Sequence, residues 1–321
     1  MSRIIGVSIP FGNEKRYEKL TKTALENGFN IEFFDYDKIT QEELDSCEVL
    51  FGMVSRKLLS NAKNLKWMQA SFAGVDKYVD VENIRNGNIL LTNSTGAYGI
   101  TISEHMITVL LMLMRRMPEY YQMQKSKGWQ MVGDIRSIMN STITVIGVGD
   151  IGLNFAKRVK AMGATVRGVR RNANLKPDYV DEIYSNDRLL EAIEGADVVA
   201  LCLPETEETK LIIGKKELDK MKSDAIIINV GRGTAIDQVA LIEALNNNKI
   251  GGAALDVVVP EPLPNDHPLW NCKNIIITPH VSGNTSLPLT NDLVVDIFCK
   301  NLFRYANNEK LNNLIDCKKG Y

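Results

Sequence analysis

The stretch TVIGVGDIG, residues 144–152, decides the fold. Its glycines, Gly147, Gly149 and Gly152, stand in G-x-G-x-x-G spacing, directly after the β-branched run TITVIGV (142–148) and directly before LNFAKRVKAMG (153–163), which reads as a helix. The first glycine permits a tight turn, the second lets backbone approach a pyrophosphate, and the third lets helix and strand pack closely. The phosphates then sit on the helix N-terminus. A lone glycine triplet carries little weight. A strand before it, a helix after it and a second strand, TVRGV (165–169), at the right distance together predict a dinucleotide-binding βαβ unit.

Outward from this unit, short Val/Ile-rich runs alternate with amphipathic stretches, the pattern of parallel sheets covered by helices on both faces. The second series continues through DVVALCL (197–203), AIIINV (225–230), AALDVVV (253–259) and NIIIT (274–278), six strands in all. An earlier series comprises RIIGVSI (3–9), NIEFFDY (30–36), EVLFGM (48–53), LKWMQA (65–70) and NILLTN (88–93). A long helix is expected over about residues 98–116 between the two series, and NDLVVDIFCKNLFRYANN (291–308) reads as a helix with no strand to follow it. That last helix is expected to pack back on the first series.

The composition narrows the function classes. The chain has 321 residues, 45% hydrophobic, with a net charge of −1, enough for two domains with their own cores. It shows no basic face or tail for nucleic acid and no run of about 18 apolar residues for a membrane. MITVLLMLM (106–114) is too short and closes on Arg115 and Arg116. The N-terminus enters a strand pattern at once and lacks a signal-peptide core, so a cytosolic protein is expected. The five cysteines are scattered and never in CxxC pairs, which predicts neither a disulfide framework nor a metal site.

In such a unit the second strand ends in an acid, about 20 residues along, that binds the adenosine ribose. Here the place belongs to Arg170, followed by Arg171 and Asn172. A carboxylate would repel the extra phosphate of NADP, whereas a guanidinium forks onto it. These three residues are therefore expected to read NADP(H), with NAD(H) as the alternative cofactor; the plain reading is a solvated basic loop. An acid is also what the ribose of S-adenosylmethionine would want.

Hydride transfer to a carbonyl needs a proton donor and an anchor for the substrate. Of three histidines, His280 follows a strand at its carboxyl end, where open sheets bind ligands. His105 lies mid-helix and reads as structural; His267, in a proline-rich loop, reads as exposed. Arg232, between Gly231 and Gly233, can hold a carboxylate bidentately. Glu261, after its own strand, could fix the tautomer of His280 and favour its imidazolium. Each alone is an ordinary surface charge. Arginine, glutamate and histidine after three successive strands make a catalytic set.

GVGDIG, NVGRG, ALDV with EPLP, and ITPHVSG, in this order, resemble the D-isomer-specific 2-hydroxyacid dehydrogenase family, and the likeness extends to SFAGVDKY (71–78) and SEHMITVLLMLMRRMPEY (103–120). The resemblance implies an α/β fold of two Rossmann-like doubly wound parallel-sheet domains, the cofactor domain (98–285) inserted into a flavodoxin-like substrate domain (1–97 and 286–321). It implies Arg232 on the carboxylate of a 2-oxo acid, His280 as acid and base, and Glu261 orienting His280. It further implies backbone contacts to substrate around Gly74 and Val75, and cofactor contacts from Asp150, Ile151, Pro204, Thr209 and Asp256. A homodimer through the cofactor domain is also implied. Arg170 departs from the acid of NAD-using members and matches the glyoxylate/hydroxypyruvate reductase branch, which favours NADPH. The reading is reduction of a small 2-oxo acid to a D-2-hydroxy acid, with an NAD-dependent dehydrogenase or an NAD(P)-sensing protein without turnover as alternatives.

Overall fold

The computed structural model describes residues 3–10, 12–174 and 176–317. The chain forms two units, Met1–Tyr98 with Thr285–Tyr321, and Gly99–Asn284, so the second is inserted into the first.

The first unit is built on β1 (Ile4–Ser8), β2 (Asn30–Phe33), β3 (Val49–Gly52), β4 (Trp67–Ala70) and β5 (Leu90–Thr92), all parallel in the order β2-β1-β3-β4-β5. Val49, Leu50, Phe51, Trp67 and Met68 are inaccessible to solvent because both faces of the sheet are covered. The C-terminal helix, Pro288–Ala306, packs on this sheet as expected. Phe298 stacks on Phe51 at 4.1 Å and on Trp67 at 5.6 Å. Burying a side chain of this size contributes about 1.5–3 kcal/mol, so Phe298 is a principal fastening. Arg16, almost wholly buried, donates from Nε to Asp292 at 2.7 Å and from Nη2 to the carbonyl of Pro288 at 2.9 Å.

The second unit carries β6 (Thr142–Ile146), β7 (Thr165–Val169), β8 (Glu182–Tyr184), β9 (Val198–Leu201), β10 (Ile226–Asn229), β11 (Gly252–Leu255) and β12 (Ile275–Ile277) in the parallel order β12-β11-β10-β9-β6-β7-β8. The strand direction of growth reverses at β6, which has β7 on one side and β9 on the other. Ligands bind at the carboxyl ends of strands at such a switch point. The sheet has seven strands where six were expected. β8 is three residues, Glu-Ile-Tyr, paired only with β7, and a segment so short and mixed has no periodicity to read. Expected strands also ran too long. AALDVVV leaves the ladder after Leu255, yet Val257 and Val258 stay buried by packing under the loop, so an apolar run overstates its strand. The long helix spans Gly99–Met114, and Arg116 follows it at φ +56°, in the left-handed region.

Candidate active site

The glycine turn fits a dinucleotide in its shape. Gly147 adopts φ +94°, and a Cβ there would lie 2.7 Å from the carbonyl oxygen of Cys202, just beyond β9. At Gly152 a Cβ would strike the carbonyl oxygen of Gly147, so only glycine lets the helix Asp150–Ala161 start this close to the turn. Gly149, by contrast, faces open space. It caps this helix with no side-chain hydrogen bond, which leaves the first N–H groups available to an anion. Asp150 is the first helical residue, hydrogen-bonded to Asn154, and Ile151 is half-buried beside it.

After β7, Arg170 is half-buried and Arg171 is exposed. The side chain of Arg170 has no ion pair among the described residues, whereas Arg171 pairs with Glu208 at 2.8 Å. The amide oxygen of Asn172 accepts from the N–H of Asn174 at 3.0 Å and shapes the turn. After β9, Thr209 is buried; its hydroxyl donates to the carbonyl of Pro204 at 2.7 Å and accepts from the N–H of Thr206 at 2.8 Å.

Arg232, Glu261 and His280 follow β10, β11 and β12, three neighbours in the sheet. The arginine turn is held by Asn229, whose Nδ2 donates to the carbonyl of Arg232 at 2.9 Å and whose Oδ1 accepts from the N–H of Gly231 at 3.0 Å. A Cβ at Gly231 would lie 2.5 Å from the carbonyl oxygen of Leu203, and one at Gly233 would strike the backbone of Val258. The turn is thus wedged between the segments leaving β9 and β11. Its half-buried guanidinium donates from Nη1 to the carbonyl of Gly231 at 2.8 Å.

Glu261 Oε1 accepts from the N–H of Val258 at 3.2 Å, and Oε2 lies 2.9 Å from His280 Nδ1. A carboxylate only accepts, so Nδ1 carries the proton and Nε2 is left to exchange one with a ligand. The structure therefore brings Glu261 and His280 into direct contact and seats the Arg232 turn against Val258.

His280 itself has φ +53°, a left-handed conformation that is uncommon outside glycine. The brace is Asp256, 3% exposed. Its Oδ1 accepts from Thr278 Oγ1 at 2.6 Å and from the N–H of Val281 at 2.9 Å, and Oδ2 accepts from the N–H of Ser282 at 2.9 Å. Its carbonyl accepts from the N–H of His280 at 2.9 Å. Burial opposes charge on Asp256, yet hydrogen bonds from Ser282, Thr278 and Val281 outweigh it and hold the carboxyl below its usual range. Sequence reasoning marked Asp256 as a cofactor contact and missed its hold on the His280 turn. It also missed Asn229 and Thr278; an asparagine two residues before a glycine turn is the one local sign of the former.

His105, half-buried on the long helix, has Nε2 3.3 Å from the hydroxyl of Thr278. His267 is half-buried rather than exposed, because its Nδ1 accepts from the N–H of Leu269 and caps the helical turn Pro268–Asn271. Gly74, exposed, and Val75, buried, lie after β4 in the first unit.

Residues 107–282 match the D-isomer specific 2-hydroxyacid dehydrogenase family, NAD binding domain. The chain is 33% identical over 241 residues to glyoxylate/hydroxypyruvate reductase B of Yersinia pestis (strain Pestoides F), covering 73% of each chain. A D-isomer specific 2-hydroxyacid dehydrogenase family protein from Aeromonas salmonicida subsp. salmonicida A449 superposes with a TM-score of 0.86 at 33% identity, over 99% of this chain and 100% of that one. A D-isomer specific 2-hydroxyacid dehydrogenase from Xanthobacter autotrophicus Py2, solved with NADPH and MES, superposes with a TM-score of 0.83 at 25% identity over the whole of both chains. With its glycine turn at the switch point and its Glu261–His280 pair beside the Arg232 turn, the chain belongs to the D-isomer specific 2-hydroxyacid dehydrogenase family.

Proposed function

We propose that the protein reduces small 2-oxo acids of glyoxylate or hydroxypyruvate size to D-2-hydroxy acids, with NADPH preferred over NADH. The observation that carries this reading is His280 Nδ1 at 2.9 Å from Glu261, whose segment leaves β11, the strand next to the one that Arg232 follows. Gly147, Gly149, Asp150, Ile151 and Gly152 would hold the pyrophosphate, Pro204, Thr209 and Asp256 would flank the cofactor, and Arg170, Arg171 and Asn172 would meet the adenosine ribose. A reduced nicotinamide dinucleotide held there supplies a hydride. Arg232 forks onto the substrate carboxylate and fixes the neighbouring carbonyl. His280 gives the proton on Nε2 to the carbonyl oxygen, while Glu261 accepts from Nδ1–H and fixes the orientation of the ring. The cofactor preference is supported by Arg170, which has no ion pair among the described residues, and by the NADPH held in the Xanthobacter relative.

Loss of NADPH or NADH absorbance with glyoxylate, hydroxypyruvate, pyruvate and larger 2-oxo acids tests the reading. Turnover of the small acids, faster with NADPH, is expected. NADPH binding with no turnover of any acid would leave a sensing protein, and faster turnover with NADH throughout would overturn the preference.

We also propose a homodimer through the second unit. Trp129 is 99% exposed and Met131 89%, with Met117, Tyr121, Ile135 and Met139 also exposed nearby in sequence. Large apolar side chains gathered in one segment mark interaction surfaces. Sedimentation of a monomer at micromolar concentration would refute it.

A further inference from the structure

β7 and β9 flank β6, so the segments that leave them form the two banks of the crevice around the glycine turn. One bank carries Arg170 and Arg171. The other carries Pro204–Lys210, PETEETK, whose three glutamates have no part in the chemistry above. Glu207 pairs with Lys210 on its own bank. Glu208 instead reaches across to Arg171, 37 residues away in sequence, and accepts from Nη2 at 2.8 Å. Its backbone is anchored by the buried Thr209, whose hydroxyl ties Pro204 to Thr206. Glu208 therefore holds an arginine that stands where the adenosine ribose is read, and holds it with an anion.

We propose that Glu208 is a specificity-determining residue that competes with the ribose phosphate of NADP(H) for Arg171. The inference rests on the reading of Arg170 and Arg171 as the NADP site. Binding NADPH exchanges one anion on Arg171 for another and brings a phosphate toward a carboxylate. Binding NADH, which has hydroxyls at that place, leaves the ion pair intact. Glu208 thereby narrows the preference for NADPH that the two arginines set. The pair is solvent-exposed on both sides, 46% and 62%, and exposed pairs of this kind move equilibria by at most about fivefold.

The test is direct binding of NADPH and of NADH, followed by nucleotide fluorescence, to the full chain and to Glu208→Gln, Arg171→Gln and the double variant. Glu208→Gln should tighten NADPH by about two- to fivefold and NADH by less than about twofold. The difference should shrink as salt rises from about 50 mM to about 500 mM, because exposed charges are screened. In the Arg171→Gln background, Glu208→Gln should have little further effect on NADPH. Wild type that prefers NADPH while Glu208→Gln changes neither Kd overturns this inference and leaves the NADP reading standing. Equal tightening of both nucleotides, or weaker NADPH binding, overturns it too, since Glu208 would then act by general charge or by orienting Arg171. Wild type that binds both nucleotides equally, unchanged by Arg171→Gln, removes the NADP reading and this inference together.

Discussion

Replacing Asp256 with asparagine keeps the shape of the side chain and removes its charge at the point where the His280 turn is held. In the wild-type protein the buried carboxylate accepts from Thr278 Oγ1 and from the N–H groups of Val281 and Ser282, all within 2.9 Å. An amide can accept at Oδ1, but its NH2 group must then face a donor at the second oxygen's place. Hydrogen bonds to a charged group contribute about 1.5–3 kcal/mol against about 0.5–1.5 for neutral ones, and an orphaned buried N–H costs about 1–3 kcal/mol. Asp256→Asn should therefore destabilise the second unit by about 3 kcal/mol, or about 6–12 °C in Tm for a unit of this size. His280 loses the support for its left-handed backbone at the same time, so kcat/KM for 2-oxo acids should fall at least about tenfold even well below the new Tm. The pH dependence gives an independent check. The folded pKa of Asp256 lies below its ordinary value of about 3.9, so its contribution is complete above that value and is lost as pH falls through the lower folded pKa. The Tm difference between wild type and Asp256→Asn should be constant between about pH 5 and pH 8 and shrink below about pH 4. Calorimetry at several pH values, with kcat/KM on the same preparations, measures all three. A variant melting within about 2 °C of wild type, with unchanged kcat/KM, would refute the assignment of Asp256 as the brace.

Arg232→Lys keeps the charge but loses the planar fork, and should cost about 2 kcal/mol or more in kcat/KM for every 2-oxo acid while NADPH affinity and Tm hold; a near-wild-type kcat/KM removes Arg232 from substrate binding. Glu261→Gln replaces the acceptor facing His280 Nδ1 at 2.9 Å with an amide that can turn its NH2 toward the ring, so kcat for reduction should fall at least about tenfold while NADPH affinity holds; an unchanged kcat separates the two residues in function. Gly152→Ala drives a methyl group into the carbonyl of Gly147, which should cost about 1–3 kcal/mol and weaken either nucleotide more than tenfold, read by titration; normal binding would place the pyrophosphate elsewhere.

By itself the sequence determined what local pattern can carry. The β-branched runs, the glycine triplet and the helix that follows it are read within about twenty residues, because steric limits and the repeat of apolar side chains act at that range. The residues placed just after strands, Arg232, Glu261 and His280, were legible for the same reason, since the ends of parallel strands are where such sheets bind ligands. Tertiary structure decided everything that depends on pairs distant in sequence. β8 exists only because Arg167, Gly168 and Val169 of β7 offer it backbone partners. Asp256 acts on Val281, 25 residues on, and Glu208 reaches Arg171 across 37; neither carboxylate differs in sequence from an ordinary solvated one. A charged side chain acquires its work from the groups that donate to it, and for Asp256 also from those that bury it, and these are assembled only when the strands come together.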